Sequence, residues 1–160
     1  MERIQAIINH SLYREYLNKI KDCEKNRKFC KHDYVHFLNV ARLAMILKLK
    51  EDLTTTQELI YAAAMLHDIG RHIQYETGED HATASGRLAP EILKDAGFTE
   101  NETVVIVDAI LNHRNEAVRE EKNLRGILYR ADKLSRECYF CEMEAFCDWK
   151  DGKKNKELVL

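Results

Sequence analysis

Apolar residues recur at three- and four-residue spacing along most of the chain, which predicts helices almost throughout. The first predicted helix runs from about Ser11 to Asp22, and a polar stretch to Lys31 contains a break. Asp33 and Thr56 are good N-caps for the next two helices. The predicted helices after the break cover about 33–50, 56–66 with an end near Gly70, 81–96, 100–112, and a stretch from 123 into the cysteine-rich region.

Three positions leave the helical prediction open. Residues 74–80 (QYETGED) form a predicted polar loop, and Pro90 predicts either a kink or two shorter helices in the segment after it. The run VVIVDAIL is apolar nearly all round, so its helix is expected to be buried. A strand at Val104 to Val107 is the alternative, because β-branched runs favour strands.

Composition narrows the class of protein. The 160 residues suit one domain, and six Gly with one Pro point to helices, so we predict a single all-α domain over residues 1–160. The net charge of −2 argues against a dedicated nucleic-acid binder. The sequence has no apolar run long enough to predict a membrane span, and its first residues do not predict a signal peptide. We therefore expect a cytoplasmic location. The five Cys are an odd number, so a disulfide framework is not expected; a homo-oligomer remains open.

Metal-ligand side chains occupy several positions that helical periodicity turns toward the core. His67 and Asp68 end the apolar run AAAMLHDIG, and His36, His113 and Asp132 share faces with apolar residues on three other helices. Buried polar groups of this kind are costly unless they are paired or bind a metal. Several on different helices suggest a shared site in the interior of the bundle. The alternatives are a helix cap at His67, a turn at Asp68 and hydrogen-bonded core polar groups elsewhere.

His36, His67-Asp68 and Asp132, in the contexts HFLNVARLA, LHDIG and ADKLS, resemble the H…HD…D signature of the HD-domain metal-dependent phosphohydrolase superfamily. The resemblance covers about residues 33–136, most of the chain. It implies a helical bundle of HD-domain type, with an N-terminal helix and a C-terminal cysteine-rich helical extension outside that core. It also implies a divalent metal held by these four residues.

His81 and His113 fall in the two intervals where dinuclear HD subfamilies carry further histidines. The resemblance therefore implies two ions: His36, His67 and Asp132 at the first, His81 and His113 at the second, and Asp68 as the bridge. Six side chains also exceed what one catalytic ion normally takes from protein. Such donors suit Fe, Mn, Zn, Co or Ni. The alternative for His81 is a loop histidine beside acidic residues. In the HD-GYP branch of the superfamily a second His adjoins the later histidine, whereas here an Arg follows His113, so the details of that branch do not transfer.

The resemblance implies hydrolysis of a small phosphate ester, with a nucleotide as one candidate, by metal-activated water. Asp68 would also orient that water, and Lys133, Arg71 and Arg114 are candidates to hold the phosphate; a solvated surface position is the alternative for each cation. Two other functions stay open: a di-iron oxygenase of HD type, and a metal or nucleotide sensor without turnover.

The remaining His, Cys and aromatic residues receive structural interpretations. Cys138 and Cys141 fall on the apolar stripe of the last predicted helix, so we expect them to pack as buried thiols. A zinc site that joins them to Cys147 and to Cys30 or Cys23 is the alternative. Surface positions are expected for His10, His32 and His72. His32 is the alternative to His36 as the first ligand, but only His36 is followed by Val and Ala four and five residues on. Packing against the bundle is expected for the aromatic residues Tyr139, Phe140, Phe146 and Trp149.

Overall fold

The computed structural model describes residues 1–158, where all regular secondary structure is helical and no strand is present. The all-α fold class is therefore confirmed for this part of the chain. The predicted domain extends to residue 160, and its last two residues lie outside the described residues. The eight α-helices of the described range are α1 (Glu2–Asn9), α2 (Ser11–Cys23), α3 (Tyr34–Lys50), α4 (Gln57–Leu66), α5 (Arg71–Thr77), α6 (His81–Asp95), α7 (Glu100–Asn112) and α8 (Leu124–Leu134).

Helix α4 lies at the centre of the bundle. It packs against α1, α3, α6, α7 and α8, and its residues from Ala62 to Leu66 are completely buried. Three alanines in this run allow neighbouring helices to approach closely. Because α4 is enclosed, the residues that follow its last turn emerge inside the protein. This topology places the HD pair in the interior.

Side-chain caps determine where several helices begin. Asp33 accepts a hydrogen bond from the backbone of His36 at the start of α3, and Thr56 and Asn123 cap α4 and α8 in the same way. Thr99 and Glu102 form a reciprocal capping box at the start of α7. These caps satisfy backbone N–H groups that have no partner within the helix.

Some predicted elements differ from the structure. Residues 2–9 form an additional helix, and the predicted loop at 74–80 is largely occupied by α5. α6 is one helix that contains Pro90 rather than two pieces. The prediction that α7 is buried all round was wrong, because Val104 and Val105 are 68% and 46% exposed. No strand forms there.

The predicted extension of the last helix through the cysteines was also wrong. α8 ends at Leu134, and short 3-10 turns follow at Cys138–Phe140, Glu144–Phe146 and Asp151–Lys153. The side-chain amide of Asn155 donates to the carbonyls of Lys133 and Leu134 and so satisfies acceptors that the end of α8 leaves free. The expected aromatic packing fails as well, since Phe140 and Phe146 are 85% and 74% exposed.

The three histidines expected at the surface are all enclosed to some degree. His72 is buried and stacks on Tyr16. His10 is mostly covered, caps α2 through its ring nitrogen and lies 3.2 Å from the carboxylate of Asp95. His32 is buried beside the candidate site. Their polar neighbours in the sequence concealed this burial, because none of the three lies on an apolar helical stripe.

Candidate metal centre

The HD pair lies where α4 ends. His67 is fully buried, and its Nδ1 contacts the carbonyl oxygen of Ala64 at 2.7 Å. A carbonyl only accepts, so Nδ1 carries the proton and the lone pair of Nε2 faces the interior. Asp68 follows in the turn with 2% of its surface exposed, and its Oδ2 lies 3.5 Å from Nε2 of His67.

His113 repeats this arrangement where α7 ends. Its Nδ1 contacts the carbonyl oxygen of Ile110 at 2.6 Å, so its Nε2 also presents a lone pair. His81 is the first residue of α6, and its Nδ1 lies 2.7 Å from Oε1 of Gln74. The Nε2 atoms of His81 and His113 are 3.3 Å apart, and they lie 3.1 and 3.5 Å from Oδ1 of Asp68.

His36 and Asp132 come from two other helices, α3 and α8. Ser135 donates its hydroxyl proton to the carbonyl of Asp132, so its oxygen accepts from Nδ1 of His36 at 3.3 Å. This leaves a lone pair on Nε2 of His36. That atom lies 3.7 Å from Oδ1 of Asp132 and 3.9 Å from Oδ2 of Asp68. Nε2 of His67 lies 3.9 Å from Oδ1 of Asp132.

These six side chains form two sets of three whose ligand atoms lie within 4.8 Å of one another. We call them the His36 group (His36, His67, Asp132) and the His81 group (Asp68, His81, His113). The structure therefore brings together all six residues that the sequence singled out as ligands. Asp68 connects the groups, because its Oδ1 faces the His81 group and its Oδ2 faces His36 and His67.

The protonation of the groups suits a cation. Burial lowers the pKa of His67 to about 3, and burial also lowers the pKa of His36 and His81, so these rings are neutral near pH 7. Burial alone would raise the pKa of Asp68, but the neighbouring imidazoles and Arg71 hold it well below its usual value. Asp132 is likewise kept ionised, chiefly by Lys133 against the effect of burial.

Three buried atoms of the two groups have no hydrogen-bond partner within the described residues: Nε2 of His36, Nε2 of His67 and Oδ1 of Asp68. Buried polar atoms in native proteins are nearly always satisfied. Here neutral imidazole lone pairs face carboxylate oxygens, and two acceptors at such distances repel one another unless a cation or proton lies between them. The donor set therefore fits a divalent metal, and the buried cluster could hold one.

A cavity of about 550 Å³ opens onto the two groups. Its wall contains side chains from the α2–α3 connection, from the ends of α7 and α8 and from the segment after α8. Eight basic residues contribute to it: Arg27, Lys28, Lys31, Arg71, Arg114, Lys133, Arg136 and Lys154. This charge suits an anionic ligand.

The three cations considered from the sequence occupy different environments. Arg71 begins α5 and reaches His81 at 2.9 Å, and its Nε is buried without a partner in the described range. Lys133 pairs with Asp132 and lies 3.3 Å from the carbonyl oxygen of His113. Arg114 pairs with Asp80 at 2.5 Å in a half-exposed ion pair at the cavity wall. Arg71 and Lys133 are thus held closest to the two groups.

Sequence reasoning missed the residues that support Arg71. His32 contacts the Arg71 guanidinium through Nε2, and its Nδ1 lies 2.5 Å from Oε1 of buried Glu24. The same carboxylate oxygen accepts a hydrogen bond from the hydroxyl of Tyr75 at 2.6 Å. The available signal in the sequence was that His32 and His36 lie on either side of the N-cap residue Asp33.

The arrangement of paired His and Asp groups in an all-α bundle is that of an HD domain. The family model described as "HD domain" matches residues 33–137. The chain belongs to this family, and the resemblance seen in the sequence is confirmed.

Individual relatives are consistent with the family. The chain is 44% identical over 155 residues to an uncharacterized protein from Clostridium beijerinckii, with 97% of each chain covered. It is 29% identical over 128 residues to Ribonuclease Y 1 from Pediococcus pentosaceus, covering 79% of this chain and 22% of that protein. The crystal structure of a predicted HD superfamily hydrolase from an uncultured Thermotogales bacterium superposes with a TM-score of 0.61. Its sequence is 27% identical, with 88% of this chain and 80% of that chain covered.

Within residues 1–158, none of the helices combines the length and the apolar character needed to cross a membrane.

Proposed function

We propose that this protein is a metal-dependent phosphohydrolase that acts on a small phosphate ester, with a nucleotide as one candidate. The observation that carries the proposal is the convergence of unpartnered buried lone pairs on two neighbouring points, directly beneath a basic cavity. The fold supports it, because HD domains are typically metal-dependent phosphohydrolases.

The His36 group and the His81 group would hold two divalent ions, with Asp68 shared between them. Imidazole and carboxylate donors suit Fe, Mn, Zn, Co or Ni. When bound, such ions supply a water of lowered pKa as nucleophile and neutralise phosphate oxygens. Burial keeps the imidazoles of His36, His67 and His81 neutral, and the carboxylates of Asp68 and Asp132 stay ionised, which are the states that metal ligands require.

The cations of the cavity would bind and orient the substrate. Arg71 is fixed by His32 and by the side-chain oxygen of Gln74, which accepts a hydrogen bond from it at 3.1 Å, and this makes its guanidinium a rigid donor for a phosphate oxygen. Lys133 balances Asp132 and offers a second positive charge at the site. Arg114 would act at the entrance, after release from Asp80. A cavity of about 550 Å³ matches a molecule of nucleotide size better than a polymer.

The test uses the full chain, stripped of metal and then supplied with Mn, Fe, Co, Ni or Zn. Substrates are an aryl phosphate, nucleoside mono-, di- and triphosphates, a cyclic nucleotide and a short RNA. Phosphate release that depends on the metal, with small esters preferred over RNA, is the expected result. Preferred cleavage of RNA would contradict the small-substrate proposal, and oxygen consumption by the iron form without phosphate release would favour an oxygenase. Nucleotide binding without turnover would indicate a sensor.

Asp68→Asn keeps the shape of the side chain and removes its charge. We expect it to reduce the bound metal from two ions per chain and to bring hydrolysis down to background. Glu120→Gln is the matched control, because Glu120 is exposed and lies in the turn after Glu116–Val118. Full activity of a metal-free Asp68→Asn protein would refute the proposed mechanism.

A further inference from the structure

The segment that follows α8 is ordered without a hydrophobic core of its own. None of the residues in its three 3-10 turns is buried, and Phe140 and Phe146 point largely into solvent. Its contacts are mostly polar: Lys154 bonds to Glu144, and the Arg136 guanidinium lies 3.9 Å from the centre of the Trp149 ring. The carboxylates of its ion pairs, Glu144 and Asp151, are partly or largely exposed, and such pairs contribute little stability. Segments that bury so little apolar surface usually depend on a disulfide or a metal.

Four free thiols lie where this segment meets the rest of the protein. Cys138 begins the first 3-10 turn and Cys141 follows it, with the backbone N–H of Cys141 bonded to the Cys138 carbonyl. Cys147 follows the second turn, and Cys30 belongs to the α2–α3 connection. All four line the same cavity. The C-x2-C-x5-C spacing of the three C-terminal residues is typical of metal-binding turns.

Cys30 lines the same cavity as the C-terminal thiols, although more than one hundred residues separate them in the sequence. Partial burial raises the pKa of Cys30, and the neighbouring thiols of Cys138 and Cys141 raise it further. Mutual repulsion among thiolates is the effect that a bound cation removes. The fold therefore brings a fourth sulfur to the C-x2-C-x5-C segment.

We propose that Cys30, Cys138, Cys141 and Cys147 bind one thiophilic metal centre through four thiolates. A single zinc ion and an iron–sulfur cluster share this ligand chemistry. Within residues 1–158, the sets of three residues whose ligand atoms lie within 4.8 Å of one another are the two His and Asp groups. No three of the four thiols lie that close together, so they stand further apart than thiolates that share one metal. Binding must therefore draw the turns together, which a segment without buried side chains can accommodate.

The thiolate centre would be separate from the His36 and His81 groups in both residues and chemistry. Soft sulfur donors select zinc or iron–sulfur clusters, whereas imidazole and carboxylate donors bind a broader range of ions. Its structural role would be to fix residues 135–158 as one wall of the cavity, with Arg136 and Lys154 on that wall. The assignment of four thiolates does not depend on the reaction at the other site.

The experiment measures zinc, iron and acid-labile sulfide in the full chain purified without oxygen. The variants are the double substitution Cys138→Ser with Cys141→Ser, and the control Cys23→Ser, whose thiol is exposed on α2 and outside the cavity. Each is also made in the Asp68→Asn background, which weakens the other site. The expected result is loss of one metal centre per chain in the double variant and full retention in the control. Zinc alone identifies a mononuclear site, and iron with sulfide identifies a cluster.

A second measurement does not rely on the variants folding. Wild-type protein is stripped of metal under reducing conditions and titrated with Co²⁺, which gives a thiolate-to-cobalt charge-transfer band when cysteines coordinate it. A charge-transfer band that saturates at one equivalent of Co²⁺ and disappears when zinc displaces the cobalt supports the proposal. It is overturned if the protein contains no iron with sulfide and shows no such band, if the double variant keeps its full metal content, or if a disulfide joins two of the four cysteines.

Discussion

Replacement of Glu24 by glutamine tests whether a buried carboxylate supports the network behind Arg71. Glu24 is 3% exposed, and its two oxygens serve three donors. Oε1 faces Nδ1 of His32 at 2.5 Å and accepts from Tyr75, while Oε2 accepts from the backbone N–H of His32 at 2.8 Å. Glutamine keeps the size of the side chain, but it exchanges one acceptor for a donor and removes the charge.

The magnitude follows from the pKa of Glu24. Burial raises this pKa, but the hydrogen bonds and charge of His32 outweigh burial and lower it from 4.5 to about 2. At about 1.4 kcal/mol per pKa unit, the ionised form contributes up to about 3 kcal/mol to the free energy of unfolding. Because the folded pKa lies below the unfolded one, this stabilisation is complete above the unfolded value. It is lost as the pH falls from about 4.5 toward 2.

The assay is urea unfolding of wild type and Glu24→Gln, followed by far-ultraviolet circular dichroism at several pH values in the presence of a chelator. The difference in unfolding free energy should be about 3 kcal/mol at neutral pH and should shrink steadily below pH ~4.5. Glu120→Gln serves as the exposed control and should show a small difference at every pH. A Glu24→Gln difference that stays constant down to pH ~2 would refute the reasoning.

Three further results are expected. Gly126→Ala should lower the unfolding free energy by about 2 kcal/mol or more in urea titrations, because a Cβ would overlap the carbonyl of Glu121, whereas Gly152→Ala meets open space and should be nearly neutral. Lys133→Met should reduce kcat/KM for a phosphate ester by roughly 10- to 100-fold, since a charged hydrogen bond contributes about 1.5–3 kcal/mol; unchanged kinetics would remove it from the site. Metal at about 100 times its Kd should stabilise the stripped protein by about 2.7 kcal/mol, and His67→Ala should lose most of that gain in thermal unfolding.

Much of the fold is readable from local sequence signals. Asp33 and Thr56 mark the starts of α3 and α4 to the residue, because a cap acts through backbone groups two or three positions away. The six proposed ligands were also recognisable, since each interrupts an apolar pattern or follows the HD pair in a known order. Both signals depend on neighbours in sequence or on a family pattern, so one chain is sufficient to detect them.

Features that depend on contacts between distant residues could not be predicted from the sequence. The free carbonyls at the end of α8 accept hydrogen bonds from Asn155, about twenty residues further on. His32 carries no local signal of burial, because its partners Glu24 and Arg71 lie on other elements. Helix α5 is mostly polar, and it forms where α2 and α6 pack against it. Long-range contacts of this kind override local propensity.

The histidines that end α4 and α7 make helix length part of the chemistry. His67 and His113 each bond to the carbonyl three residues earlier, so each ring is aimed by the last turn of its own helix. One residue added to or removed from either helix would rotate that ring by about 100° around the helix axis. The length of each of these two helices, counted from its N-cap to its histidine, is therefore fixed. Their other side chains can change within the limits of packing. Insertions should be accommodated only in the connections between helices.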